Sequence, residues 1–307
     1  MSFERTQLAI DKLVNEYGLD KNQVEEWMAR GKYHETSVSN AAAPVEQTKS
    51  YAEYRPMFLS WHVIWQGRRF ASKYHDQLLH SEQQYGVPGN IVVAIIGIES
   101  RYGFTKGKHR TFDALGSLAV TEGRRADYFM REWVKFIAML HQQGMDPLDM
   151  KGSYAGATGY SQFMPSSYEA YAVDLDQDGD IDIWNDPIDS IGSVANYLKE
   201  NGWKAGQPVL SKATVAELEP GLSINTFSRD RKMPQILAAG WKIEAPFDTD
   251  WYVFPVRLET DEGPQYWLGY RNFWSISRYN RSISYAMAVY QLAEAIAESD
   301  SGEESEN

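Results

Sequence analysis

Apolar positions near the start of the chain recur at helical spacing. Leu8, Leu13, Val14 and Tyr17 fall near one face, and Gly18 closes the run. Asp20 followed by Gln23 has the form of a capping box, which predicts a helix carrying Val24, Trp27 and Met28 and ending at Gly31. Thr36–Lys49 is polar and Ala-rich with Pro44 inside it, so the pattern predicts a loop. A further helical stretch runs through Phe70, Tyr74 and Leu78 and closes at Gly86. Gly86–Gly89 reads as a turn, and the predicted helix Asn90–Glu99 that follows contains IVVAIIGI, apolar on every side. Such a helix belongs in the middle of a protein. Another helix is predicted from Gly123 to Leu140, and Gly152–Gly159 is rich in glycine and alanine. Pro187–Asn201 sets Ile188, Ile191, Ala195 and Leu198 on one face before Gly202.

Around Trp203 the period changes. WYVFPVRLET and QYWLGY alternate and are bounded by turn residues, which predicts strands and a small β-rich unit reaching Tyr270. Helical spacing returns over Ile283–Ile296 with Ile283, Met287, Tyr290 and Ala293. The order helical, β, helical makes the β unit an insertion, and no solenoid-type repeat is evident.

Composition narrows the function classes. The 307 residues, 43% hydrophobic and 23% charged, suffice for a substantial core without staples. With no cysteine, thiol chemistry, disulfides and cysteine-ligated zinc are excluded. A net charge of −12 argues against nucleic acid and against an anionic membrane surface. Part of that excess lies in ESDSGEESEN, Glu298–Asn307, read as a disordered acidic tail. No apolar run is long enough to span a bilayer. The start, MSFERTQLAIDKL, shows no hydrophobic signal region, which predicts a cytoplasmic protein or a mature or trimmed form. The 19 Tyr, 10 Trp and 12 Phe are mostly core by default, though a surplus of Tyr and Trp also suits a groove that stacks on sugars.

Several chemistries are missing. His34, His62, His75, His80, His109 and His141 form no HExxH pair, and GYSQF around Ser161 does not fit a GxSxG elbow. There is no Walker loop and no dinucleotide fingerprint.

Glu99 stands out instead. It follows Ile91–Ile98 and precedes Ser100-Arg101-Tyr102-Gly103, where Gly103 lets the chain turn away. A partly desolvated carboxyl at the end of a buried helix has its pKa raised toward neutrality, as a general acid requires. The bland alternative is a structural ion pair with Arg101 or Arg125.

Asp174–Asp189, DLDQDGDIDIWNDPID, holds seven Asp in sixteen residues. Asp174, Asp176, Asp178, Asp180 and Asp182 alternate, with Gly179 at the sixth place and Ile181 at the eighth. That is the opening of an EF-hand calcium loop, in which alternate oxygens converge and glycine permits the sharp turn. The twelfth place holds Asn185 where the loop expects Glu, so Asp186 or Asp189 is expected to close it. The competing reading is a solvated acidic loop, with Asp186 capping the helix after Pro187. A third group (Ser153, Tyr154, Tyr160, Gln162, Tyr279, Asn280 and Tyr285) places polar and aromatic side chains in turn settings. Arg124 and Arg125 are adjacent and point different ways.

IIGIESRYG, GSYAGATGYSQFMPSSYEAYAVD, the Asp-rich loop and SRYNRSISYAMAVYQL together resemble the lytic murein transglycosylase B family, over about Phe3 to Ile296. The resemblance implies that Glu99 is the catalytic acid/base and that Ser153, Gln162, Tyr279, Asn280 and Tyr285 line a glycan groove. Tyr54, Arg124, Arg125, Tyr128 and Tyr197 also match sugar- or peptide-contacting positions. Asp174, Asp176, Asp178, Asp180 and Asp189 fall on a structural calcium site, Asp180 through its backbone carbonyl. This chain has Asp176 where the family usually has Ser, and one more residue before Asp189.

The implied fold is α+β, mainly α. Residues 1–85 form a helical domain completed by 286–297, and 86–204 a lysozyme-like core with the calcium loop, completed by 271–285. Residues 205–270 form the inserted β domain, and 298–307 the tail. The implied partner is the peptidoglycan glycan strand, with no organic cofactor, a monomeric chain and a periplasmic location. No second carboxylate near Glu99 is evident, so the expected reaction is non-hydrolytic, the MurNAc 6-hydroxyl attacking its own anomeric carbon to give 1,6-anhydroMurNAc. A goose-type hydrolase using water, a non-catalytic peptidoglycan-binding protein and a calcium sensor are the rival readings.

Overall fold

The computed structural model describes residues 3–42, 50–228, 231–244, 248 and 250–298. The chain opens with α1 (Phe3–Asn15), α2 (Lys21–Arg30), α3 (Glu35–Ala42), α4 (Tyr51–Tyr54), α5 (Trp61–Lys73), α6 (His75–Tyr85) and α7 (Gly89–Ser100). Then come β1 (His109–Arg110), α8 (Thr111–Val120), α9 (Ala126–Gln142), β2 (Lys151–Gly152), α10 (Pro165–Tyr171) and α11 (Pro187–Glu200). The last part holds β3 (Leu210–Val215), α12 (Met233–Ala238), β4 (Trp241–Ile243), β5 (Phe254–Thr260), β6 (Gly263–Gly269), α13 (Arg271–Ile276) and α14 (Ile283–Ala297). Helices predominate and the sheets are small and antiparallel, the mainly-α class expected. Among the described residues no helix is long and apolar enough to cross a membrane.

The chain divides into two compact units, Met1–Pro44 with Glu99–Ser193 and Val45–Ile98 with Val194–Asn307. The core of the first is the pair α8 and α9. Every residue of α8 is buried. Phe112 meets the edge of Trp133 at 5.3 Å between ring centroids, and Phe136 and Ile137 are fully buried beside them. Gly116 makes that approach possible, since a Cβ there would lie 2.8 Å from the Trp133 ring. Buried Glu132 on α9 accepts from Ser166 N at 2.9 Å, which satisfies one of the orphan donors opening α10.

In the second unit, a four-stranded sheet in the order β4-β3-β6-β5 has every pairing antiparallel. The β5–β6 hairpin pairs Phe254 with Gly269 and Thr260 with Gly263. Met233, Ile236, Trp241, Val253, Leu268 and Tyr270 form one apolar cluster on it. Ile91–Ile96 of α7 are at most 4% exposed, so the apolar run is central, as its lack of a polar face requires.

Two expectations need correction. Over Glu35–Ala42 the chain is helical where a loop was expected. His34 starts that helix, its Nδ1 accepting from Ser37 N at 3.1 Å, and the Ala-rich stretch then favours continuation. The remainder of the expected loop, 43–49, and the acidic tail beyond Glu298 lie outside the described residues. The single stretch expected through Phe70, Tyr74 and Leu78 is two helices. Tyr74 caps both, with φ −112° and ψ 30°, outside the helical region. The other helices and strands that the pattern predicts agree to within a few residues; Asp20 accepts from Gln23 N at 3.0 Å.

Candidate active site

Glu99 is the penultimate residue of α7 and is half-buried. Behind it the backbone makes an unusual turn. Arg101 and Tyr102 take φ of 51° and 58°, a left-handed region that costs non-glycine residues roughly 1–2 kcal/mol each. Gly103 follows at φ 90°. Its N–H donates to the Ser100 carbonyl and to Ser100 Oγ, both at 3.1 Å, and Thr105 N donates to the same carbonyl at 2.8 Å. Such local strain persists only where the surroundings over-determine it.

Here the surrounding element is a tight hairpin, Thr158–Phe163, closed by two backbone hydrogen bonds of 3.0 and 3.1 Å. Tyr160 at its tip packs directly against Gly103: a Cβ there would fall 2.1 Å from the Tyr160 ring. Lys106 covers the Tyr160 ring, Nζ to centroid 4.7 Å, and donates to the Trp184 carbonyl at 2.6 Å. Tyr160 N in turn donates to the Ile183 carbonyl at 2.9 Å. The turn that ends at Gly103 is therefore tied, through Tyr160 and Lys106, to the Asp-rich segment. Gly103→Ala should destabilise this unit by about 2–4 kcal/mol, from a strained φ and an overlapping methyl group. A calorimetric melt unchanged within about 1 °C would refute the arrangement.

Ser153 and Gln162 are half-buried in the same unit. Ser153 Oγ accepts from Ala155 N at 3.2 Å and Ala157 N at 3.0 Å. A hydroxyl offers two acceptor sites and one donor, so its proton is left to donate. Gln162 is the reverse case. Its Nε2 donates to the Lys106 carbonyl at 3.2 Å and the Gly159 carbonyl at 2.9 Å, which uses both amide protons and leaves Oε1 as an acceptor.

The Asp-rich segment folds as a compact loop leading into α11. Carboxylate oxygens of Asp174, Asp176 and Asp189 lie within 4.8 Å of one another. Gly179 at φ 104° makes the sharp turn and donates to Asp174 Oδ2 at 3.0 Å. Asp189 is 1% exposed and clamps both sides of the loop, accepting from Leu175 N at 2.9 Å and Asp182 N at 2.8 Å. The extra residue before Asp189 therefore does not displace it from the group. Burial pushes its carboxyl up to about 6. Asp174 Oδ1 is buried without a hydrogen-bond partner. An orphaned carboxylate oxygen beside two further carboxylates fits a hard divalent cation with oxygen ligands.

The other acids of the loop have different positions. Asp178 Oδ1 accepts from Asp180 N at 3.0 Å, and both side chains are exposed, outside the three-carboxylate group. Repulsion, Asp178 first, raises the Asp180 carboxyl above its usual range. Asp182 Oδ1 accepts from Trp184 N and Asn185 N, each at 2.8 Å. Asp186 caps α11, accepting from Ile188 N at 2.7 Å.

The aromatic and basic candidates are spread over both units. In the first, Arg124 is exposed, while the Arg125 guanidinium lies 5.1 Å from the Tyr128 ring centroid and 4.9 Å from that of Phe129. In the second, the Tyr197 hydroxyl donates to the Arg278 carbonyl at 2.5 Å and its ring lies 4.6 Å from that of Tyr279. Tyr279 and Asn280 are half-buried. Tyr54 and Tyr285 are 2% and 1% exposed, so neither offers a ring face to solvent.

Residues 2–294 match the family model described as the transglycosylase SLT domain. The chain belongs to the transglycosylase SLT-domain family. This SLT-domain chain is 41% identical over 300 residues to the membrane-bound lytic murein transglycosylase B of Escherichia coli K12, spanning 95% of this chain and 82% of that protein. The Escherichia coli lytic transglycosylase Slt35 in complex with calcium superposes with a TM-score of 0.89 at 41% identity, covering 95% of this chain and 92% of that one. SltB3 from Pseudomonas aeruginosa in complex with NAG-NAM-pentapeptide gives 0.83 at 29% identity, covering 97% and 80%. The family read from four motifs thus holds along nearly the whole chain.

Sequence reasoning missed three parts of this SLT-domain site. Lys106 carries no motif, and its value comes from reaching both Tyr160 and the Trp184 carbonyl. Trp184 was unremarked inside the Asp-rich run, yet its Nε1 donates to Thr158 Oγ1 at 3.0 Å, bracing the hairpin. Glu132 could have been suspected as an acid inside an apolar helical face, where a buried carboxylate must find a donor.

Proposed function

We propose that Glu99 is the single acid/base of this SLT-domain transglycosylase and that its substrate is peptidoglycan. The chain is a lytic transglycosylase, a lyase that cleaves wall glycan strands without consuming water. The observation that carries the Glu99 assignment is its half-buried place just past the buried run Ile91–Gly97, followed by a strained, braced turn. The other buried acids of its unit have fixed duties. Asp113 pairs with Arg110 and accepts from Lys32 N, Glu132 caps α10, and Asp189 clamps the loop. A two-carboxylate glycosidase mechanism finds no second buried partner among the described residues of that unit.

In the proposed cycle, protonated Glu99 donates to the glycosidic oxygen between MurNAc and GlcNAc. The C1–O bond breaks and GlcNAc leaves with a free 4-hydroxyl. The Glu99 carboxylate then takes the proton of the MurNAc 6-hydroxyl as O6 bonds to C1, which closes the 1,6-anhydro ring and restores the acid. A tethered nucleophile gains the advantage of high effective concentration. Ser153 donates its free proton to the substrate, and Gln162 Oε1 accepts from a sugar hydroxyl. Tyr54, Arg124, Arg125, Tyr128, Tyr197, Tyr279, Asn280 and Tyr285 are proposed as further sugar or peptide contacts, Tyr54 and Tyr285 through the hydroxyl end alone.

Asp174, Asp176 and Asp189 would hold calcium, with Asp178 and the Asp180 carbonyl completing the set as in an EF-hand loop. The ion would stabilise the loop and take no part in bond breaking. The calcium-bound relative and the orphaned Asp174 oxygen support this. A cell-envelope location is proposed from the substrate and the membrane-bound relative.

Products from purified peptidoglycan, analysed by mass spectrometry, test the reaction. Anhydromuropeptides are expected. Reducing MurNAc ends would make water the nucleophile and overturn the intramolecular step.

A further inference from the structure

One helix departs from the acidic character of the whole chain. α5, WHVIWQGRRFASK, contains Arg68, Arg69, Lys73 and His62 and no acid, in a protein of net charge −12. Its apolar face is turned inward, with Val63, Gly67 and Phe70 buried. Arg68 is anchored too, donating to the Ala295 carbonyl of α14 from Nε at 3.3 Å and Nη2 at 3.0 Å.

What the helix shows to solvent is aromatic and cationic. Trp61 is 74% and Trp65 39% exposed. Their ring centroids lie 6.0 Å apart with planes 20° from parallel, and the His62 ring lies 6.2 Å from that of Trp65 at 22°. The Arg69 guanidinium sits 4.8 Å from the Trp65 ring centroid. Trp61, Trp65, Arg69 and Lys73 recur every fourth residue, so with His62 they share one side of the helix. Large exposed indoles are costly to leave in water and mark contact surfaces.

We infer that this arc is a second, non-catalytic contact for peptidoglycan strands, reading sugar faces with Trp61 and Trp65 and carboxylates with Arg69 and Lys73. It rests on the substrate reading above. Charge complementarity selects the occupant: the arc is a cationic patch on an acidic protein, and wall strands carry peptide carboxylates, which a guanidinium pairs with strongly. The near-parallel indoles suit the flat, C–H-rich faces of linked pyranose rings, which meet the negative face of an aromatic quadrupole. A lipid bilayer suits the arc less. Interfacial helices bury a broad apolar face in the lipid, and the apolar face of α5 is already buried in its own unit.

Co-sedimentation with purified, lipid-free peptidoglycan tests this, in a Glu99→Gln background so that the polymer is not consumed. Trp61→Ala/Trp65→Ala should weaken binding about tenfold with an unchanged melting temperature. Arg69→Glu, an exposed change, should weaken it as well and reduce its salt sensitivity. Sedimentation equal to the parent in both variants overturns the proposal. So does an effect confined to vesicles of phosphatidylglycerol and phosphatidylethanolamine, which would assign the arc to a membrane. If the unsubstituted enzyme releases no fragments from the wall, the substrate reading fails instead, and the sedimentation comparison still scores the arc.

Discussion

Glu99→Gln should lower turnover on peptidoglycan by about a thousandfold or more, while glycan binding stays within a fewfold of the parent. The expected loss is large because one carboxyl does two jobs. In the proposed cycle it protonates the leaving oxygen and then takes the proton of the attacking hydroxyl, and an amide can do neither at neutral pH. Gln keeps the size of the side chain and is half-buried at the end of α7, so the fold should persist. Single-turnover rates and co-sedimentation, measured together, separate chemistry from binding. Retention of even a tenth of the parent rate would remove Glu99 from the mechanism, and loss of binding with rate would make it a substrate contact.

The second large effect concerns the Asp-rich loop. Calcium a hundredfold or more above its Kd should raise the melting temperature by about 5–10 °C over the chelated protein. Two substitutions divide the cause. Asp176 is exposed, so Asp176→Asn should leave the chelated melting temperature unchanged and blunt the response to calcium. Asp189 accepts from two backbone amides, so Asp189→Asn must turn a donor toward one of them. That variant should melt below the chelated parent even with calcium present.

The pH dependence carries a sign. Burial first raises the metal-free Asp189 carboxyl to about 6 from 3.8, so the folded state holds a proton that the unfolded state has lost between those values. Metal-free stability should then rise as pH falls through 6. Calcium needs the ionised carboxylates, so its stabilising increment should shrink over the same range. An increment equal at pH 5 and pH 7.5 in scanning calorimetry would refute the ligand set.

Much of this was legible along the chain because a local rule sufficed. α7 announces itself as an apolar run between Gly89 and Gly103, and the loop by alternate Asp around Gly179. α8 does not. TFDALGSLAV is buried on every side, so it shows no period, and two of its polar side chains accept from backbone amides far away in the chain. Asp113 meets Arg110 and Lys32 N, and Ser117 Oγ accepts from His34 N at 2.7 Å. The split at Tyr74 is equally hidden, since Tyr carries no breaker signal. At the site, residue type singled out Glu99, Ser153 and Gln162 as candidates, but not that Ser153 would keep a proton to donate and Gln162 an oxygen to accept. That depends on turn geometry. The burial of Tyr54 and Tyr285 is set by tertiary packing and could not be read from their positions.

The tie between Gly103, Tyr160, Lys106 and Trp184 has a bearing on how the enzyme fails under heat. The hairpin has three ties to the Asp-rich segment: the Tyr160 amide, the Lys106 ammonium lying over the Tyr160 ring, and the Trp184 indole at Thr158. If that segment loosens, the strained turn behind Glu99 loses its brace while the α8–α9 core stays packed. Sub-global opening of this kind exposes a contiguous set of amides to exchange well before cooperative unfolding. Backbone protons of Tyr160, Leu175 and Asp182 should therefore exchange as one group in chelator, at a temperature where α9 is still protected. Inactivation in that window should reverse on adding calcium, whereas inactivation by core unfolding should not.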